Sequence, residues 1–171
     1  GDVELGEEAL YLDTAYTFES KVYDADEKEV EKAEVKFFID EKEIKFPYNF
    51  AGAGEYVITA VATIEKEEYT CDYAVYVVNN NVFEVEQTSM NSFKMTFEEA
   101  KDVTKVTRET LTVYKASKEG ATKVKTAVGS VTPLKDENAV AVTLYSNFAK
   151  DNVIFVEYAK ETDNFTAIKG D

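Results

Sequence analysis

The chain has no histidine and no tryptophan, one cysteine, two prolines and seven glycines among its 171 residues. Each shortage excludes something. Without histidine, the commonest general base, proton shuttle and nitrogen ligand for metals are missing together. The single cysteine, Cys71, can form neither an internal disulfide nor a thiolate zinc site. Its place in the alternating run YTCDYAVYV predicts a buried core thiol. So few prolines and glycines argue against a low-complexity linker or a fibre. No stretch approaches the ~18 to 20 apolar residues of a membrane helix, and no basic segment leads into an apolar one at the start. Membrane insertion is therefore not expected. Gly1 in place of methionine predicts a processed or excised chain.

Positive charge is also scarce, and unevenly so. Residues 1–81 carry 20 acidic and 7 basic side chains, a net −13; residues 82–171 carry 14 and 12, a net −2. That step predicts two units with different surfaces. It makes nucleic acid an unfavourable partner for the first half, because phosphate contacts need clustered Lys and Arg. Anionic membrane surfaces are disfavoured for the same reason.

What is abundant points to strands. Hydrophobic residues make up 44% of the chain, enough for real cores, and 11 tyrosines and 11 phenylalanines join many valines and threonines. In AYTFESKVYD, Tyr16, Phe18, Ser20 and Val22 alternate with Thr17, Glu19 and Lys21, the pattern of a half-buried strand. DADEKEVEKA has no apolar stripe and reads as a loop. EVKFFID and KEIKF read as a hairpin around the charged, glycine-free turn Asp40-Glu41-Lys42-Glu43. Pro47 closes it and leads into the short strand YNF. Tyr56 to Ile64 is apolar on both faces, which predicts a central strand covered on both sides. YTCDYAVYVV alternates again. The asparagines Asn79 to Asn81 follow a terminal strand at the charge step, and predict a short boundary that limits relative motion.

Beyond it come VFEVEQTS, NSFKMTF, ETLTVYKAS, TKVKTAVGSV, AVAVTLYS and NVIFVEYAKE, each alternating and each read as one strand. EEAKDVTKVTRE is rich in threonine and reads as a loop with one helical turn. The expected fold is all-β: two tandem immunoglobulin-like β-sandwich domains, residues 1–80 and 81–171.

Two resemblances stand beside this reading. Gly54-Glu55-Tyr56, at the start of a buried strand, resembles the tyrosine corner of immunoglobulin-like sandwiches, in which the tyrosine hydroxyl bonds back to the corner backbone. Ile58 then takes the place where antibody domains put a cysteine. The second half resembles, across nearly its whole length, the bacterial Ig-like domains of Gram-positive S-layer and other cell-surface proteins. Phe97-Glu98-Glu99-Ala100 matches the end of that family's second strand, and Val153 to Tyr158 its tail strand. The chain departs from the pattern at Lys150-Asp151-Asn152, where the family has glycine and threonine. The resemblance implies a cell-surface or extracellular location, in a cell wall or S-layer.

Chemistry is sparse. No nucleophile elbow, phosphate loop or dinucleotide fingerprint is present. Adjacent carboxylates such as Glu67-Glu68 and Glu98-Glu99 diverge on a strand and read as solvated turns. No catalytic residue and no cofactor are expected. Asp24, Asp26 and Glu27, with Glu29 and Glu31, put spaced carboxylate oxygens in one loop, the donors that Ca²⁺ takes. The glycine and terminal spacing of an EF-hand are absent and lysines lie nearby, so a solvated loop with diffuse screening by cations is the expectation. A Lys–Asn isopeptide crosslink needs an inward lysine, whereas Lys21 and Lys94 lie on outward phases. Tyr11, Tyr76 and Tyr114 offer a sugar-stacking surface, but cross-strand packing explains them better. The expected role is a non-catalytic spacer in a surface assembly, contacting neighbouring domains or copies. A recognition module for a cell-wall glycan or a protein, adhesin-like or decorating a virion, is the alternative.

Overall fold

The computed structural model describes residues 9–168, so the acidic opening stretch as far as Glu8 lies outside the described residues. The protein is all-β, about 52% strand in four sheets. Among the described residues there is no α-helix, only two single 3₁₀ turns, at Val103–Lys105 and Lys135–Glu137. None is long or apolar enough to cross a membrane. The chain divides into two compact units between Asn79 and Asn80.

The first unit is built on one large sheet. Its strands are β1 (Leu10–Tyr11), β3 (Glu34–Ile39), β4 (Lys42–Glu43), β6 (Gly54–Ile64) and β7 (Glu67–Val78), in the order β1-β7-β6-β3-β4. β1 runs parallel to β7; the other pairs are antiparallel. Against one face lies a two-stranded sheet, β2 (Ala15–Tyr16) with β5 (Tyr48–Asn49). Leu10, Phe37, Ile39, Ile44, Phe50, Ile58, Ala60, Val75 and Val77 form the core, with Tyr16, Phe18, Tyr48 and Tyr56 packed against it. Tyr16 and Phe18 stack, and the other rings meet edge-on or tilted, as Phe50 does with Tyr48 at 5.0 Å and with Tyr56 at 4.9 Å between centroids. These are the arrangements that aromatic quadrupoles favour.

Three expectations fail here. β6 is central in its sheet but covered on one face only: Ile58, Ala60 and Ala62 are buried while Val57 is 54% exposed. Among the described residues nothing supplies a second layer over Val57. Cys71 is exposed, not buried. It shares the phase of the buried Val75 and Val77, but the Glu67–Asp72 half of β7 runs past the edge of the core. AYTFESKVYD buries the expected side chains, with Tyr16, Phe18, Ser20 and Val22 half-buried and Thr17, Glu19 and Lys21 exposed. Only Ala15–Tyr16 pairs as strand.

The hairpin turns are two residues long and lack glycine. Asp40 and Glu41, and likewise Glu65 and Lys66, all have positive φ. That is the backbone twist a tight hairpin requires, here imposed on side chains that disfavour it.

In the second unit two four-stranded sheets enclose one core. β8 (Phe83–Gln87), β9 (Ser92–Phe97), β12 (Val128–Leu134) and β13 (Ala139–Leu144) pair in the order β12-β13-β9-β8. β10 (Leu111–Ala116), β11 (Val124–Thr126), β14 (Val153–Tyr158) and β15 (Glu161–Thr166) pair in the order β11-β10-β14-β15. The inward residues alternate cleanly: Phe93, Met95 and Phe97 from β9, Val140, Val142 and Leu144 from β13, Ile154, Val156 and Tyr158 from β14.

TKVKTAVGSV is two strands, not one. β11 stays with β10, and the chain then crosses to pair with β13 through an irregular register between Val128 and Ser130. Gly129 sits at that irregularity, where a Cβ would meet the Thr143 carbonyl at 2.9 Å. β15 was not expected at all. It is polar, and its inward residues are Glu161, Asp163 and Phe165. The Asp163 carboxylate accepts a hydrogen bond from Val85 N at 2.9 Å, capping the edge strand β8.

Asn80 and Asn81, at the division between the units, are buried, 2% and 7% exposed. Asn80 Nδ2 donates to the Ala100 carbonyl at 3.2 Å, and Lys101 Nζ donates to Asn81 Oδ1 at 2.9 Å. Both asparagines are thus anchored to the loop after β9.

Candidate functional site

The acidic loop is held by its own carboxylate. Asp24 Oδ1 accepts hydrogen bonds from Asp26 N at 2.9 Å and Lys28 N at 3.0 Å. The backbone closes the same turn, Asp24 N to Lys28 O at 2.9 Å and Glu27 N to Asp24 O at 3.1 Å, with Tyr23 and Glu29 bridged beyond it. An aspartate used in this way stabilises a turn by mimicking a backbone carbonyl. Its acceptor oxygen faces inward to amides, and Asp26, Glu27, Glu29 and Glu31 stay exposed around it. Among the described residues no group of three or more acidic or cysteine side chains converges as a cation would need.

The Gly54-Glu55-Tyr56 segment forms the bond its resemblance implies. Tyr56 Oη donates to the Gly52 carbonyl at 2.7 Å. Gly54 has φ of 132°, a conformation that side-chain-bearing residues rarely adopt. Ile58 follows, fully buried. This constellation is structural: a hydroxyl spent on a corner carbonyl offers nothing to a substrate.

The segment Phe97-Glu98-Glu99-Ala100 is pinned by Asn138, which has φ of 51°. Its Nδ2 donates to Phe97 O at 3.0 Å and Glu99 O at 2.8 Å, and its Oδ1 accepts from Lys101 N at 3.1 Å. Lys101 Nζ lies 5.3 Å from the Phe97 ring and 5.0 Å from that of Tyr158, a cation–π arrangement. Before β14, buried Asn152 accepts from Ala149 N at 2.8 Å and donates to Ser117 O at 3.3 Å.

One surface recess was not legible from sequence. A recess of about 490 Å³ is lined by Gln87, Thr88, Ser89, Met90, Asn91, Asn147 and Ile168. Its walls are cross-tied: Phe148 N to Met90 O at 2.6 Å, Leu144 N to Asn91 O at 2.8 Å, and Ile168 N to Gln87 Oε1 at 3.0 Å. Met90 is 43% and Ile168 79% exposed, beside amide and hydroxyl groups. Such a lining can hold an apolar or hydrogen-bonding group, but it contains no titratable side chain for acid–base work. Neutral residues scattered over three loops leave no motif to find.

The remaining candidates are surface features. Lys94 forms an ion pair with Glu137 at 3.1 Å, away from the core, and Lys21 is exposed. Tyr69 donates to Glu67 Oε2 at 2.8 Å, and this bond to a carboxylate pushes its pKa up. Tyr73 is also raised, first through its contact with the Cys71 side chain and then by burial. Tyr76 is exposed, whereas Tyr11 and Tyr114 are half-buried, Tyr114 paired across strands with Phe155. No family model and no curated protein matches this chain.

Proposed function

We propose that this chain is a non-catalytic spacer from a bacterial surface assembly, built of two tandem immunoglobulin-like sandwiches. The observation that carries the reading is strand connectivity. In this reading β8, β9, β13 and β12 of the second unit, neighbours in one sheet, are taken as strands A, B, E and D, and β10, β14 and β15 of the other sheet as C, F and G. In the first, β7, β6 and β3 are taken as G, F and C, with β2 and β5 as B and E. The Tyr56 to Gly52 bond, at the start of the F-like strand, supports the assignment. The resemblance of residues 82–171 to domains of S-layer proteins supports the cell-surface setting, and an assembly of such sandwiches is held by neighbouring domains or copies. The absence of histidine supports a role without acid–base catalysis.

The alternative, a recognition module for a glycan or a protein, draws on the neutral recess at Gln87–Asn91, since binding groups cluster on loops at the ends of sandwiches. Self-association of a longer chain carrying the flanking domains into sheets, seen by electron microscopy, supports the spacer. Saturable binding on a glycan array or to cell walls, competed by free sugar and lost in Met90→Asp, would replace it with the alternative.

A further inference from the structure

The edges of the sheets are treated unequally. β8 is capped by Asp163, and β12 carries Pro133 and the irregularity at Val128/Ser130. β11 is three residues long with Lys125 at its centre, and β1 and β4 are two residues each. These are the usual protections against edge-to-edge pairing. Over Glu67–Tyr76, β7 has no proline, no lysine and an unbroken register with β6; its protection is limited to the acids Glu67, Glu68 and Asp72.

The outward-facing backbone groups of that edge can be identified. Ile64 and Glu67 flank the two-residue turn and so form its hydrogen-bonded pair, directing the odd-numbered residues of β7 toward β6. Leu12 N donates to Val78 O at 3.0 Å, which places the even-numbered residues on the opposite edge. β1 pairs only with Val77 and Val78. Glu68, Thr70, Asp72 and Ala74 therefore present amides and carbonyls outward, and among the described residues none is bonded there.

We propose that this edge pairs antiparallel with β7 of a second copy, about a twofold axis at Cys71. Only this centre matches all four outward residues to one another: Glu68 with Ala74 of the other copy, and Thr70 with Asp72. A shift of the centre to Asp72 opposes two aspartates directly, which is unfavourable. In the proposed register no like charges are directly opposed, and Thr70 offers a hydroxyl to the facing carboxylate. The two Cys71 residues meet as a non-hydrogen-bonded pair, with Cα atoms ~4.5 Å apart, close enough for a disulfide. Tyr69 faces Tyr73 of the other copy beside them. The net −13 of residues 1–81 opposes association at long range. Salt screens it beyond a Debye length of about 8 Å at physiological ionic strength, so added salt strengthens the dimer.

The test is sedimentation at millimolar protein, with diamide crosslinking. Two Cys71 thiols give up two protons and two electrons to form the disulfide, and diamide takes them up to become the hydrazine. A concentration-dependent dimer that tightens with salt and crosslinks through Cys71 is expected. Cys71→Ser keeps the dimer and loses the crosslink. Thr70→Asp opposes carboxylates twice and weakens association roughly tenfold. Thr70→Lys strengthens it by a similar factor, while Thr17→Asp and Thr17→Lys, the same charge changes off the edge, do neither. A monomer at millimolar concentration overturns the proposal, as does association that follows net charge alone at both positions.

Discussion

The two units spend similar lengths of chain on different solutions to the same problem. The second closes a core of sixteen buried residues between two four-stranded sheets. The first buries nine against a single broad sheet, whose cover is a two-stranded ribbon and irregular chain carrying aromatic rings. Rings let a thin layer bury much area, since each aromatic covers 150–250 Å². They do not supply a ladder of backbone hydrogen bonds. The lesson is that a sheet can be kept wet on one face when large side chains, rather than strands, shield the other.

The largest expected effects are core truncations, and they address the two units separately. Phe93→Ala, at a position fully buried in the second unit, costs about 3–5 kcal/mol. Ile58→Ala in the first unit costs about 2–5 kcal/mol. Calorimetry of the parent chain should show two transitions, the first unit melting lower because its core is smaller. Ile58→Ala should move only the lower transition and Phe93→Ala only the upper. One shared transition shifted by both substitutions would erase the comparison.

Next is the corner bond. Tyr56→Phe keeps the ring against Phe50 and removes the hydroxyl from the Gly52 carbonyl. The expected loss is about 0.5–1.5 kcal/mol in urea denaturation, confined to the first unit. An unchanged midpoint would mean that the aromatic cover alone holds the corner.

This bond was legible through a resemblance, that of Gly54-Glu55-Tyr56 to a tyrosine corner, and its acceptor is the Gly52 carbonyl. Alternation was legible too, and it assigned faces well: Tyr16 and Phe18 turn inward, Thr17 and Glu19 outward. What alternation does not carry is whether a partner strand exists or where the covering layer stops. That is why Tyr16–Val22 lacks a ladder, Val57 is exposed, and Cys71 lies outside the core despite its inward phase. β15 was missed for a related reason. Its inward acids do a job, Asp163 on Val85, that apolar periodicity cannot express. The recess at Met90 was illegible because nothing in neutral loop residues marks them as neighbours.

The hairpin turns give a smaller effect that should be alike in both units. Glu65 and Lys66 in the first, Ala159 and Lys160 in the second, all hold positive φ without glycine. Changing either pair to Asn-Gly relieves left-handed strain, less the extra freedom glycine gives the unfolded chain, for a gain of about 0.5–1 kcal/mol. Chemical denaturation of each variant checks it. A gain in one unit only would show that its partner's turn is set by something other than local twist.

Charge should separate the units again. Raising NaCl relieves self-repulsion in the first unit, net −13, and moves the second, net −2, much less. The shift should stay below the ~4–8 °C that 1 kcal/mol moves a domain of this size. Because Asp24 already serves its own turn, Ca²⁺ at matched ionic strength should do no better than Na⁺. A saturable rise specific to Ca²⁺, lost in Asp24→Asn/Asp26→Asn, would make the first unit a calcium-rigidified spacer instead.

The smallest effect is in pH, and it has opposite sense in the two units. In the second, Asp102 is held below the usual carboxylate range by hydrogen bonds from the Thr104 side chain and amide. Glu109 is lowered by its own backbone amide and by Thr107. A folded pKa below the unfolded one contributes stability that is present above the unfolded value, about 4, and lost as pH falls through the folded value. In the first unit, Tyr69 is raised by Glu67, and Tyr73 by the Cys71 side chain. Raised values contribute stability that is present below the unfolded pKa, about 10, and lost as pH climbs through the folded values. Acid should therefore lower the second unit's transition through Asp102, while in the first it removes mutual repulsion among carboxylates. Alkali should weaken the first unit through its tyrosines. Asp102→Asn still accepts from the Thr104 amide yet cannot titrate, so it should flatten the second unit's response between pH 5 and pH 2.5, within the span about 4 defines. An identical acid response in parent and variant would assign the loss to other carboxylates. Tyr69→Phe is the matching change in the first unit, read by the same calorimetry on the alkaline side.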